Sequence, residues 1–158
     1  MPGSIFILHG PIRSGKTTTL AAWASSQSRL AGILTPDRGP QRWMFRISDQ
    51  SWHPFEVSGE ASEITSVGKF RFHSSAFHIA KEEIRQAIAA QVPWIVVDEI
   101  GKLEMKNQGL EPVVSELVHA HQNGDFQGQI LLVIREELLV PALEKWNIQE
   151  WESFSAIS

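Results

Sequence analysis

Two short stretches hold residues whose types and spacing can do chemistry. Gly10-Pro11-Ile12-Arg13-Ser14-Gly15-Lys16-Thr17 fits the pattern G-x-x-x-x-G-K-[ST]. Glycines at its two ends let the backbone curl until successive N–H groups face phosphate oxygens, and a helix opening near Lys16 adds the positive end of its dipole. The pattern assigns Lys16 to the β- and γ-phosphates and the Thr17 hydroxyl to Mg²⁺. Thr18, next in the helix, joins residues 10–17 as a candidate nucleotide-binding position, with capping or packing as its plainer reading. Arg13 is as readily a solvated loop charge as a phosphate contact. The second stretch is Trp94-Ile95-Val96-Val97-Asp98-Glu99: four apolar residues, then two carboxylates. A buried strand has no structural need for two acids at its end. Asp98 matches the position that holds magnesium, and Glu99 is placed to take a proton from water aligned on a γ-phosphorus. Alone the acidic pair reads equally well as a solvated strand end or a helix cap; beside the glycine loop it completes a nucleotide site. Glu99 and Lys16 are the catalytic candidates, Thr17 and Asp98 the metal ligands.

The flanking segments supply what such a site needs. Ile5 to Leu8 is too short for a helix and reads as a buried strand ending at His9. Lys16 to about Arg29 is Ala-rich, with Leu20, Trp23 and Ala24 at helical spacing. GILTPDRGP gives a short strand and turn, WMFRI and WHPFEV a hairpin, and the polar stretch 58–66 a loop. HSSAFHIAKEEIRQAIAAQ predicts a helix whose apolar face holds Phe77, Ala80, Ile84, Ala87 and Ile88, with Ser74 or Ser75 as N-cap. WIVVDEI suits a parallel strand covered on both faces. LEPVVSELVHAHQNG predicts a helix with Pro112 in its first turn, QILLVI another buried strand, EELLVPALEKW a short helix interrupted at Pro141, and IQEWESF an edge strand. Alternation of apolar strands with amphipathic helices indicates an α/β layered fold with a mostly parallel sheet, in which ligands bind at the carboxyl ends of the strands.

The totals narrow the classes. At 158 residues the expectation is a single domain spanning 1–158, long enough for a full core. A formal net charge of −4 disfavours a general nucleic-acid surface, and the absence of cysteine removes disulfides, thiolate metal sites and thiol catalysis. The short apolar runs argue against membrane spans and secretion, so a cytoplasmic protein is expected.

GPIRSGKTTTL, GILTPDRG, VGKFRFHSSAF and above all VVDEIGKLEM together resemble the thermophile-type and cancer-related nucleoside triphosphatases, whose acidic motif typically reads DEIGKME. The likeness runs from Ile5 to about Ile134. It implies a three-layer, RecA-like P-loop NTPase fold with a β-hairpin insertion after the second strand. It further implies Mg²⁺-dependent hydrolysis of nucleoside 5′-triphosphates, ATP and GTP among them, with loose base selectivity. The family pattern maps onto Gly10, Gly15, Lys16, Thr17, Asp98 and Glu99. Two places depart from it: Arg13 stands where many relatives have glycine, and the segment after Thr35 is shortened to Pro36-Asp37-Arg38.

Positive charge toward the leaving oxygen could come from Arg38, Arg42, Lys102 or Arg135, each of which also reads as an ordinary surface charge. The six tryptophans are scattered, as core or half-buried fillers would be, though Trp43 or Phe45 could stack on a base. His119 and His121, two apart on a helix, do not share a face. Two rival readings remain: a P-loop small-molecule kinase, and a nucleotide-dependent accessory or switch protein with slow hydrolysis. No protein partner can be named from the sequence.

Overall fold

The computed structural model describes residues 3–10, 16–27, 29–38, 41–56, 64–67 and 70–154. In chain order these form β1 (Ile5–Gly10), α1 (Lys16–Ser25), β2 (Leu30–Leu34), the two-residue β3 (Asp37–Arg38), β4 (Gln41–Arg46) and β5 (Ser51–Pro54). There follow β6 (Ile64–Val67), β7 (Phe70–His73), α2 (Ser74–Ala90), β8 (Trp94–Ile100), α3 (Lys102–Met105), α4 (Val113–Gln122) and β9 (Gln129–Arg135). A 3₁₀ turn (Glu136–Leu138), α5 (Leu139–Lys145) and β10 (Glu152–Ser153) complete the order.

The main sheet runs β10-β1-β9-β8-β2-β4-β3, with β5 on the other side of β4. Its first five strands are parallel, and β3, β4 and β5 add an antiparallel edge. Apolar, largely β-branched runs explain the centre: Ile95 to Val97 and Ile130 to Ile134 are buried on both faces, as helices on each side of a parallel sheet require. One face packs Leu20 and Trp23 of α1 against Val96, Leu131, Val133 and Phe6. The other packs α2, α4 and α5 against Ile7, Ile33, Val97, Leu132 and Ile134. Gly32, at φ 120°, lets β2 approach β8 so closely that a Cβ would collide with the Val96 carbonyl. Among the described residues no helix is long and apolar enough to cross a membrane.

Several expectations shift at element ends. α1 stops at Ser25 rather than near Arg29, because the Ser25 and Ser26 hydroxyls donate to the Ala22 and Trp23 carbonyls at 2.8 and 2.7 Å and satisfy the helix end early. Residues 64–66, expected in a loop, lie in β6, where pairing with β7 overrides their polarity; 57–63 lie outside the described residues. Neither Ser74 nor Ser75 is the N-cap of α2. The helix begins at Ser74 itself, directly after β7, and the flanking His73 gives its N–H to Phe55 O at 2.7 Å without a side-chain cap. Pro112 precedes α4, and Pro141 falls in the first turn of α5, where a missing N–H breaks nothing. The hairpin β4–β5 and the edge strand β10 form as expected.

Candidate functional site

In this sheet β9 lies between β1 and β8, so the strand leading to the glycine loop and the strand ending in acids are two spacings apart, roughly 10 Å. Register aligns their ends: Gly10 pairs with Arg135, and Ile134 stands between His9 and Ile100. Gly10 closes β1, and Lys16, Thr17 and Thr18 are the opening residues of α1. Pro11, Ile12, Arg13, Ser14 and Gly15 lie outside the described residues.

The acidic end of β8 is built on a β-bulge. Val97 pairs with Leu132 and Ile100 with Ile134, so Asp98 and Glu99 together oppose Val133 alone. The extra residue is accommodated at Glu99, whose φ of 105° is a conformation that favours glycine. Holding a side-chain-bearing residue there costs on the order of 1–3 kcal/mol, a strain that persists only where neighbours enforce it.

Thr35, directly after β2 and 3% exposed, is one such neighbour. Its N–H donates to Asp98 Oδ2 at 3.0 Å, and its hydroxyl lies 3.3 Å from Asp98 Oδ2 and 3.2 Å from Glu99 Oε2, sharing one proton between two carboxylates. Arg42, from β4, is the other: its Nη1 meets Glu99 Oε2 at 2.5 Å. Asp98 is 1% exposed, whereas Glu99 keeps 22% of its side chain accessible, so one acid is enclosed and the other open to the edge.

The remaining charges are placed as follows. Arg135 reaches the same edge, where Nη1 stands 4.0 Å from Glu137 and Nε has no hydrogen-bond partner among the described residues. Arg38 lies in β3 and Lys102 opens α3. His9, half-buried beside Gly10, meets Glu136 through Nδ1 at 2.6 Å and the Trp151 ring edge-on at 5.8 Å. Phe45 meets the Trp52 ring at a 56° tilt, 4.8 Å between centroids, and packs on the core, so that ring already has a partner. Burial lowers the pKa of His121, and among the described residues no cluster of three or more histidine, cysteine or acidic side chains could hold a metal.

Two residues that matter here carried no assigned role in the sequence. Thr35 touches both acids, and its signal was position alone: the residue directly after a strand neighbouring the acidic one. Glu104, 3% exposed, accepts the Gly101 N–H at 2.7 Å and the Leu110 N–H at 2.9 Å, closing the loop just past Glu99. Its spacing, three residues after Gly101, is that of a helix-capping acid.

Comparison with known proteins agrees with this arrangement. The crystal structure of THEP1 from the hyperthermophile Aquifex aeolicus superposes with a TM-score of 0.72, covering 96% of this chain and 89% of its own at 18% identity, a likeness of fold. No curated protein matches the chain. The family model described as NTPase matches residues 5–150, nearly the whole span from the first strand to the last. A sheet that sets the glycine-loop strand and the acidic strand on either side of a third has the RecA-like P-loop form, and the chain belongs to the NTPase family.

Proposed function

We propose that this protein hydrolyses nucleoside 5′-triphosphates, ATP and GTP among them, to diphosphate and phosphate, with Mg²⁺ and loose base selectivity. The observation that carries the reading is the bulge that brings an enclosed acid, Asp98, and an accessible one, Glu99, to the same strand end, across β9 from Gly10. A simple phosphate-binding loop needs only the first.

The residues fit magnesium. Asp98 is a buried hard-oxygen donor at the carboxyl edge, Thr17 adds a hydroxyl, and Mg²⁺ is typically held by one or two carboxylates plus substrate phosphates. When bound, the ion supplies positive charge to the β- and γ-phosphate oxygens. Around it the chain's own groups do the rest. The amides of residues 13–17 and the Lys16 ammonium hold and neutralise the triphosphate tail. Thr35 fixes Asp98 through its N–H and hydroxyl. Glu99 orients a water in line with the γ-phosphorus and takes its proton at a carboxylate oxygen as the new P–O bond forms and the bond to the β,γ-bridging oxygen breaks. The charge gathered on the diphosphate is met by Lys16.

The test is phosphate release from the common nucleoside tri- and diphosphates with and without Mg²⁺, using the full chain and Glu99→Gln. Hydrolysis expects release from triphosphates only, dependent on Mg²⁺, and Glu99→Gln retaining nucleotide binding while losing most turnover, about 100-fold or more. Release seen only as a phosphorylated acceptor would make the protein a kinase. Unchanged turnover in Glu99→Gln would remove Glu99 from the chemistry.

A further inference from the structure

We infer that Arg42 is a positioning residue for Glu99, clamping one carboxylate oxygen so that the other is left to take the proton of the attacking water; this rests on the hydrolase reading above. Both donors that reach Glu99 fall on Oε2: Arg42 Nη1 at 2.5 Å and the Thr35 hydroxyl at 3.2 Å. Oε1 has no hydrogen-bond partner among the described residues. A flexible three-carbon acid is thereby held at one end by a charge-assisted bond, with its second oxygen open to a further donor.

The backbone that carries Arg42 is held on both of its polar groups. Its N–H donates to Glu56 Oε1 at 3.1 Å, its carbonyl accepts the Glu56 N–H at 3.0 Å, and the next residue, Trp43, donates to Pro36 O at 2.9 Å. Strand parity puts Arg42, Met44 and Arg46 on one side of β4, and Arg46 Nε binds the buried Glu83 of α2 at 3.0 Å. One strand thus delivers two arginines to two carboxylates on separate elements. The Arg46 pair is buried on its acid side and ties the edge to α2. The Arg42 pair is partly open, with side chains 30% and 22% exposed, where an ion pair contributes little to stability. What it does contribute is the orientation of an acid whose backbone already departs from ordinary strand geometry.

The experiment compares wild type, Arg42→Ala, Arg42→Lys, Glu99→Gln and the double variant, with Mg-ATP turnover and with affinity for a nonhydrolysable analogue. Positioning expects Arg42→Ala to lower kcat by about 10- to 100-fold, the scale of a misplaced reacting group, while KM and analogue affinity stay within about twofold. Millimolar guanidinium ion restores part of the lost rate, Arg42→Lys retains an intermediate rate, and Arg42→Ala in the Glu99→Gln background slows single turnover no further. A purely structural role would not give chemical rescue or that non-additivity. Turnover of Arg42→Ala within twofold of wild type overturns the inference, as does a loss confined to KM and analogue affinity, which would make Arg42 a phosphate ligand. Multiplicative losses in the double variant overturn it too. Should Arg42→Ala fail to fold, Arg42→Lys decides through the same split between kcat and KM. Wild type that releases no phosphate sinks the hydrolase reading and this inference with it, whereas active wild type with an unaffected Arg42→Ala sinks this inference alone.

Discussion

Glu104 makes the stability of this fold depend on pH in a direction that can be worked out in advance. Burial pushes its carboxyl up from 4.5 to about 7, against the pull of the Leu110 and Gly101 N–H groups, with nearby Glu111 adding to the rise. Between these two values the folded chain keeps a proton that the unfolded chain has released. The folded state therefore binds more protons, and raising the pH favours unfolding. The contribution is complete below about pH 4.5 and is lost as the pH passes through about 7. A gap of about 2.5 pH units corresponds to about 3 kcal/mol, a large share of the 5–15 kcal/mol that ordinarily separates folded from unfolded states.

Glu104→Gln isolates that term. The amide carries no charge at any pH, but it has one acceptor oxygen for two N–H groups, so one of the Gly101 and Leu110 donors faces an NH₂. That mismatch costs about 1–3 kcal/mol and does not titrate. At pH 5 the variant is therefore less stable than wild type; by pH 8 wild type has lost about 3 kcal/mol and the two curves meet or cross. Urea unfolding followed by the fluorescence of the six tryptophans, at half-unit steps from pH 5 to pH 8, measures the difference. Taking the difference also cancels His121, whose lowered pKa has the opposite sign, adding stability as the pH rises through its range. A wild-type-minus-variant difference that stays flat across this range would refute the reasoning, because the buried carboxyl would then ionise as freely folded as unfolded.

Other consequences are simpler to state. Glu83, 2% exposed, accepts from Gly32 N, Arg46 Nε, Ser48 N and Ser48 Oγ, so Glu83→Ala strands several donors and should cost about 3–5 kcal/mol in urea unfolding. Gly32→Ala brings a Cβ against the Val96 carbonyl at a φ of 120°; expect severe destabilisation or no soluble folded protein, and a loss under about 1 kcal/mol would contradict the β2–β8 approach. Thr35→Val keeps the N–H to Asp98 but removes the hydroxyl shared with Glu99, so it should reduce turnover more than nucleotide affinity, while Thr35→Ser restores much of the rate.

What could be read from the chain divides along a physical line. Strands β8 and β9 announce themselves because a strand buried on both faces must be apolar along its buried run, and the glycine loop because backbone curvature demands particular residues at particular steps. The helices α2 and α4 follow from the spacing of Ala80, Ile84 and Ala87 and of Val114, Leu117 and Val118. Contacts between distant segments left no such trace. Glu83 breaks the apolar face of α2 with a charge, and only the register that brings Gly32, Arg46 and Ser48 beneath it turns that charge into a brace. Arg42 and Glu99 are 57 residues apart and meet because β2 pairs parallel with β8 on one side and antiparallel with β4 on the other.

The bulge shows why the site itself was only half legible. A run such as Val96-Val97-Asp98-Glu99-Ile100 reads as regular strand, in which alternation would send Asp98 and Glu99 to opposite faces. One additional residue against Val133 cancels that alternation, and the hydroxyl of Thr35 can then lie within 3.3 Å of both carboxylates. Nothing local favours this: glycine would suit a φ of 105°, and a glutamate is there instead. Local propensity and observed conformation disagree at the one residue to which the proposed hydrolysis assigns the proton. Such disagreement is expected where a fold tolerates strain in exchange for the placement of a reactive group. Replacing Glu99 with glycine should accordingly relax the backbone and raise resistance to unfolding while eliminating turnover. A variant that lost stability instead would mean that the Arg42 and Thr35 contacts outweigh the strain they enforce.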